Sequence, residues 1–167
     1  MAISIIKFLL LAYLAAFCQT ILANLTAIGG VSPNFGTIII VLIVLKSDFQ
    51  VAFPAALLTG LVIDILNPEL FGLGTAIRFA IAAAVWELKC KMDLKRLAAR
   101  VYLLMGAEAA FQLFYQCCAN RFDLDILGHL FVEVSLPILL YTSVLGTVAI
   151  MIGDLSVKIQ IKKAGGG

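Results

Sequence analysis

GLVIDILNPELFGLGTAIRF, residues Gly60 to Phe79, decides how the whole chain is read. Two apolar runs meet at Asn67-Pro68-Glu69, a break of the kind that Asn and Pro make between helices. Each run carries one charge, Asp64 before the break and Arg78 after it. What those charges mean depends on the solvent around the runs.

Composition answers that question. Of the 167 residues, 63% are hydrophobic and 13% charged, and the mean hydropathy is +1.10. Soluble domains hold roughly 45–50% apolar and about 25% charged residues. The chain reads as an all-α integral membrane protein, with room for about six helices of ~20 residues and no soluble domain beside them. A single six-transmembrane-helix bundle over 1–163 is expected, and the closing Ala-Gly-Gly-Gly, 164–167, reads as a linker-like tail.

Working outward, a first span covers Ser4 to Ile28 and stops at Gly29-Gly30. Ser32-Pro33-Asn34 then leads into a second span, Phe35 to Leu45. Its eleven residues cover only ~16 Å of a ~30 Å core, so it borrows flanking residues, thins the bilayer or stays buried among its neighbours. A third span runs from Val51 to Leu66 with Pro54 expected in its first turn, where a missing N–H is harmless. The fourth covers Phe71 to Leu88, the fifth Leu97 to Cys118, and the sixth Leu130 to Ile152 with a kink expected at Pro137.

Cations set the orientation. With the N-terminus in the cytoplasm, Lys7, Lys46, the loop from Lys89 to Arg100 and the tail lysines 158, 162 and 163 fall inside, ten of the twelve. Arg121 alone lies in an outer loop, so the positive-inside bias places both termini in the cytoplasm. The apolar run after Lys7 exceeds the 7–15 residues of a signal core, and an uncleaved first helix is expected. The basic loop is a topology signal that could also meet anionic lipids or an acidic partner. It lacks the aromatic interleaving of a nucleic-acid surface.

No reaction centre stands out. Cys18, Cys90, Cys117 and Cys118 lack zinc-ligand spacing and read as small apolar side chains. His129 stands near the outer start of the sixth span without a carboxylate or nucleophile in a recognisable motif, and interfacial wetting explains it. No catalytic, cofactor or metal site is expected. The buried charges instead gather in the outer half: Asp64, Glu133, Arg78 and Glu108 lie ~3, ~5, ~10 and ~15 Å from the outer helix ends. Arg78 should face the bundle interior and find a carboxylate, or snorkel outward. Asp64 and Glu133 are within reach; Glu108 is either its partner or protonated.

Small residues mark the closely packed faces. Ala52, Ala56, Gly60 and Asp64 recur every fourth position in the third span, and Gly72, Ala76, Ala80 and Ala84 do so in the fourth. Ala12 with Ala16, and Ala23 with Ala27, extend the pattern to the first span. Such rows drive helix association in lipid, within one chain or between chains. Their number makes at least one intermolecular face expected.

Pro33 before the apolar FGTIIIVLIVL, a short basic break, Gly60 and Asp64 four apart, a polar turn and Gly72-Leu73-Gly74 opening the next span resemble the MreD family of rod shape-determining proteins. The likeness covers residues 33 to 90, and the remainder is similar in length, hydropathy and number of spans. It implies a fold similar to the substrate-binding S components of energy-coupling-factor transporters. It also implies a non-enzymatic subunit of the bacterial inner membrane that associates with MreC and supports RodA, its penicillin-binding transpeptidase and the MreB filament. Gly60, Asp64, Gly72 and Gly74 are the matched positions, with Asp64 as a structural or partner-facing carboxylate. Two other classes remain: a vitamin-binding S component, whose cavity would open outward near Asp64, Arg78 and Glu133, and an intramembrane enzyme, for which Glu108, Glu133 and His129 are the candidates.

Overall fold

The computed structural model describes residues 13–14, 17–27, 30–66, 71–94, 96–122 and 124–164, the last of these as backbone alone at 124–126 and 155–164. Among them all regular structure is helical and forms six helices. A π-helical turn, Cys18–Leu22, runs into the α-helical turn Ala23–Leu25, and the two together are α1. Then come α2 (Phe35–Lys46), α3 (Phe49–Leu66), α4 (Leu73–Lys91) and α5 (Leu97–Ala119). The last helix, α6, joins Leu124–Leu130, a π-helical turn Phe131–Ser135 and Leu136–Ala164. Among the described residues three stretches are long and apolar enough to cross a membrane: Phe49–Leu66, Leu97–Ala119 and Leu127–Asp154.

The short α2 is the centre of the bundle. Apolar residues ring it, and Ile38, Ile40, Val41 and Val44 are all buried, the pattern of a helix covered on every side. It touches each of the other five helices. Twelve residues span ~18 Å, and the neighbours supply the cover that the missing turns cannot. Both ends are capped by side chains. Asn34 accepts a hydrogen bond from the Thr37 amide at 3.3 Å, satisfying one of the helix's free donors. At the other end Lys89 of α4 donates to the carbonyls of Val44 and Ser47, each at 2.8 Å, and lies 4.6 Å from the Trp86 ring centroid.

Several boundaries differ from the sequence reading, each for a physical reason. Helix α1 ends at Leu25 rather than at Ile28: Thr26 leaves the helical backbone region at φ −98°, ψ 5°, its hydroxyl held on the Leu22 carbonyl at 2.7 Å. Ala27 therefore lies beyond the helix, and Ala23 and Ala27 form no row on it. The Ala12/Ala16 row lies outside the described residues. Helix α3 begins at Phe49, which leaves Pro54 inside it; the carbonyl four residues earlier belongs to the exposed Gln50, where water can replace the lost bond. Gly72 has φ +88°, a left-handed conformation suited to glycine, so α4 starts at Leu73 and not at Phe71. Pro137 lies two residues past the π-helical turn, after Leu136. That wider turn accommodates the missing N–H and the ring within one continuous α6.

Candidate functional site

Polar residues of the interior collect where Asn34 at the start of α2, Asp64 near the end of α3, Arg78 of α4 and Gln112 of α5 line one cavity. Asp64, near the end of α3, is 5% exposed. Its Oδ2 accepts from the Gly72 amide at 3.1 Å, the Thr75 amide at 2.7 Å and the Thr75 hydroxyl at 2.8 Å. The carboxylate thus caps α4 from the preceding helix and places negative charge at the positive end of its dipole. Its other oxygen, Oδ1, pairs with Arg78 Nη1 at 3.3 Å. Arg78 is also 5% exposed, and its guanidinium carbon lies 4.6 Å from the Phe111 ring centroid, a cation–π arrangement that replaces part of the lost hydration.

Glycines make room for this pair. A Cβ on Gly60 would stand 2.9 Å from the Thr75 Cα, so α3 and α4 cross in backbone contact. One on Gly74 would overlap Asp64 Oδ1 and stand 2.6 Å from Arg78 Nη1. Gly60 and Asp64 share a face of α3 at i, i+4, and so do Gly74 and Arg78 on α4. The spacing of the quoted stretch is the geometry of the ion pair.

Glu108 is fully buried but does not form that pair. Its Oε1 accepts from Gln112 at 2.7 Å and Asn34 at 3.3 Å. The Asn34 amide donates to the Thr142 hydroxyl at 3.0 Å, and the Gly36 amide donates to Gln19 Oε1 at 3.0 Å. Strands of polar contact therefore run from α2 to α1, α5 and α6. Glu133 is not brought to this cluster. It stands exposed on α6, paired with His129 across one turn at 3.2 Å. The three carboxylates that depth left open for Arg78 thus separate into a partner, a buried neighbour and a surface residue.

A partly open cavity of about 240 Å³ lies over the cluster, lined by Asp64 and Arg78 together with Gln19, Asn34, Gln112, Tyr115 and others. Gln19, Asn34, Thr75 and Gln112 were not singled out from sequence. Gln112 carried a signal, four residues after Glu108, and Thr75 another, three before Arg78. Among the described residues no group of three or more His, Cys, Asp or Glu is placed to hold a metal ion.

A second feature lies on α4 and α5. Ala76, Ala80 and Ala84 are exposed and form one wall of an apolar groove whose two adjoining hollows measure about 540 and 450 Å³. Gly106 and Ala110 line the facing wall. A Cβ on Gly106 would meet no atom within 4 Å. Comparison with protein-family models, with curated proteins and with solved structures returned no match.

Proposed function

We propose that this protein is a non-enzymatic membrane scaffold that holds a transmembrane helix of another protein in the α4–α5 groove. The observation that carries the reading is the open small-residue wall: Ala76, Ala80 and Ala84 are exposed, and a Cβ on Gly106 would meet nothing within 4 Å among the described residues. In lipid, small residues are useful chiefly where a second backbone approaches closely. The interior charges support the same reading. Asp64 is spent on capping α4 and holding Arg78, and Glu108 on binding Asn34 and Gln112, so both serve packing.

The resemblance to MreD supplies the partner and the setting: MreC, a protein with one membrane helix and a large outer domain, in the inner membrane of a bacterium, within a larger assembly of RodA, its transpeptidase and MreB. Both termini face the cytoplasm, where the basic loop between α4 and α5 meets anionic lipid. Mass spectrometry of everything that co-purifies in mild detergent from the native membrane tests this. Recovery of MreC, with or without RodA and its transpeptidase, supports the scaffold. Recovery of a vitamin with an ATPase module would replace it with transport.

A further inference from the structure

Hydrogen-bond accounting around the cavity is uneven. Asp64 is well supplied: Oδ2 accepts three hydrogen bonds, from Gly72 and twice from Thr75, and Oδ1 accepts one from Arg78. Arg78 is not. A guanidinium has five N–H donors, and among the described residues Arg78 places one bond, from Nη1 to Asp64. Its Nε is buried against Gly36 without an acceptor. Gln19 spends its carbonyl on the Gly36 amide and keeps its NH₂. Both side chains line the cavity, so the Nη N–H groups of Arg78 not used by Asp64 and the NH₂ of Gln19 are the donors that its wall offers among the described residues.

The volume and the walls suit an occupant. About 240 Å³ is roughly eight times the ~30 Å³ share of one water. Phe111 and Tyr115 stack 5.6 Å apart and supply a flat aromatic side. Gln19 comes from one π-helical turn, and Ile138 stands just beyond the other. Such turns inside helices occur frequently at functional sites.

We infer that this cavity is a binding site for a small molecule that presents a carbonyl-type oxygen, in a carboxylate, amide or ureido group, to Arg78 and Gln19. The Asp64–Arg78 pair is neutral as a unit, so the site accepts a neutral carbonyl as well as an anionic one. Cavity and groove share no lining residue, and this inference stands independently of the partner-helix reading.

Acetate and acetamide are matched probes, planar and differing in charge. Titration of each into detergent-solubilised protein labelled with ¹⁵N-arginine follows the Nε–H signals of the four arginines, with Arg78→Lys assigning the one of interest. The Arg78 signal is expected to shift saturably in the millimolar range while the other three stay fixed. A shift with both probes is the expected result, and a shift with acetate alone would overturn the claim that a neutral carbonyl suffices. Gln19→Glu keeps the oxygen that Gly36 needs and removes the NH₂, so it should weaken acetate severalfold with the thermal midpoint unchanged. No saturable shift with either probe means that the cavity holds water only and overturns the inference.

Discussion

Two rows of small residues at the same four-residue spacing meet opposite fates. On α3, Ala52, Ala56, Gly60 and Asp64 are all buried, and Gly60 lets the backbone of α4 approach to contact. On α4, Ala76, Ala80 and Ala84 are exposed. The face that α4 turns inward is offset from them and carries Thr75, Arg78, Ala82 and Val85. Spacing alone therefore reports that two backbones can come close, and the angular position of the charges on the same helix reports where. A row that shares its face with a buried ion-pair residue packs at home. A row on the opposite side stays exposed among the described residues.

The largest effect tests what holds the first row in place. Arg78→Ala leaves the Asp64 carboxylate buried without its counter-ion, which costs about 3–5 kcal/mol. At ~2–4 °C per kcal/mol for a chain of this size, the thermal midpoint in detergent should fall by roughly 10 °C. A drop of a degree or two would mean that α3 and α4 are held by something other than the pair.

Next in size is the contact itself. Gly60→Leu forces α4 away from α3 and should cost about 1–3 kcal/mol, whereas Gly106→Leu enters open space and should stay within ~0.5 kcal/mol. Equal losses of midpoint would erase the distinction between the two faces. Glu108 sharpens it from the interior: Glu108→Leu strands the Asn34 and Gln112 donors at about 1–3 kcal/mol. Glu108→Gln keeps the accepting oxygen and should remain within ~1 kcal/mol of the parent. A severe Glu108→Gln defect would instead make its charge, and so Arg78, the reason it is there.

The smallest effect belongs to the surface. Glu133→Ala removes an exposed pair with His129 and should alter the midpoint by less than the equivalent of ~1 kcal/mol. A larger loss would draw Glu133 into the structural cluster.

Much of this arrangement was legible in the sequence, and the gaps have identifiable causes. Gly, Pro and charged breaks located α2, the end of α3 at Leu66 and the start of α5 at Leu97, because those residues act locally on the backbone. The burial of α2 was one of three options for a span too short, and only the neighbours' positions selects it. Depth along each helix brought Asp64, Arg78 and Glu108 near one another but retained Glu133, which shares their level and not their direction. Rotation about a helix axis decides that, and the π-helical turn Phe131–Ser135, within which Glu133 lies, adds to the rotation without leaving a mark on hydropathy. Six helices were expected and six are described, and composition does not say how long and apolar each one is. Arg78, Glu87, Lys89 and Lys91 fall inside α4, and three helical stretches rather than six satisfy both length and apolarity among the described residues.

The central claim is that the α4 face is kept for another protein. The most direct measurement compares the double variant Ala80→Leu/Ala84→Leu with the parent, reading the thermal midpoint and the yield of co-purified single-span partner from the same native membrane. The account predicts an unchanged midpoint and a lost partner. Full partner recovery with both leucines in place would contradict it.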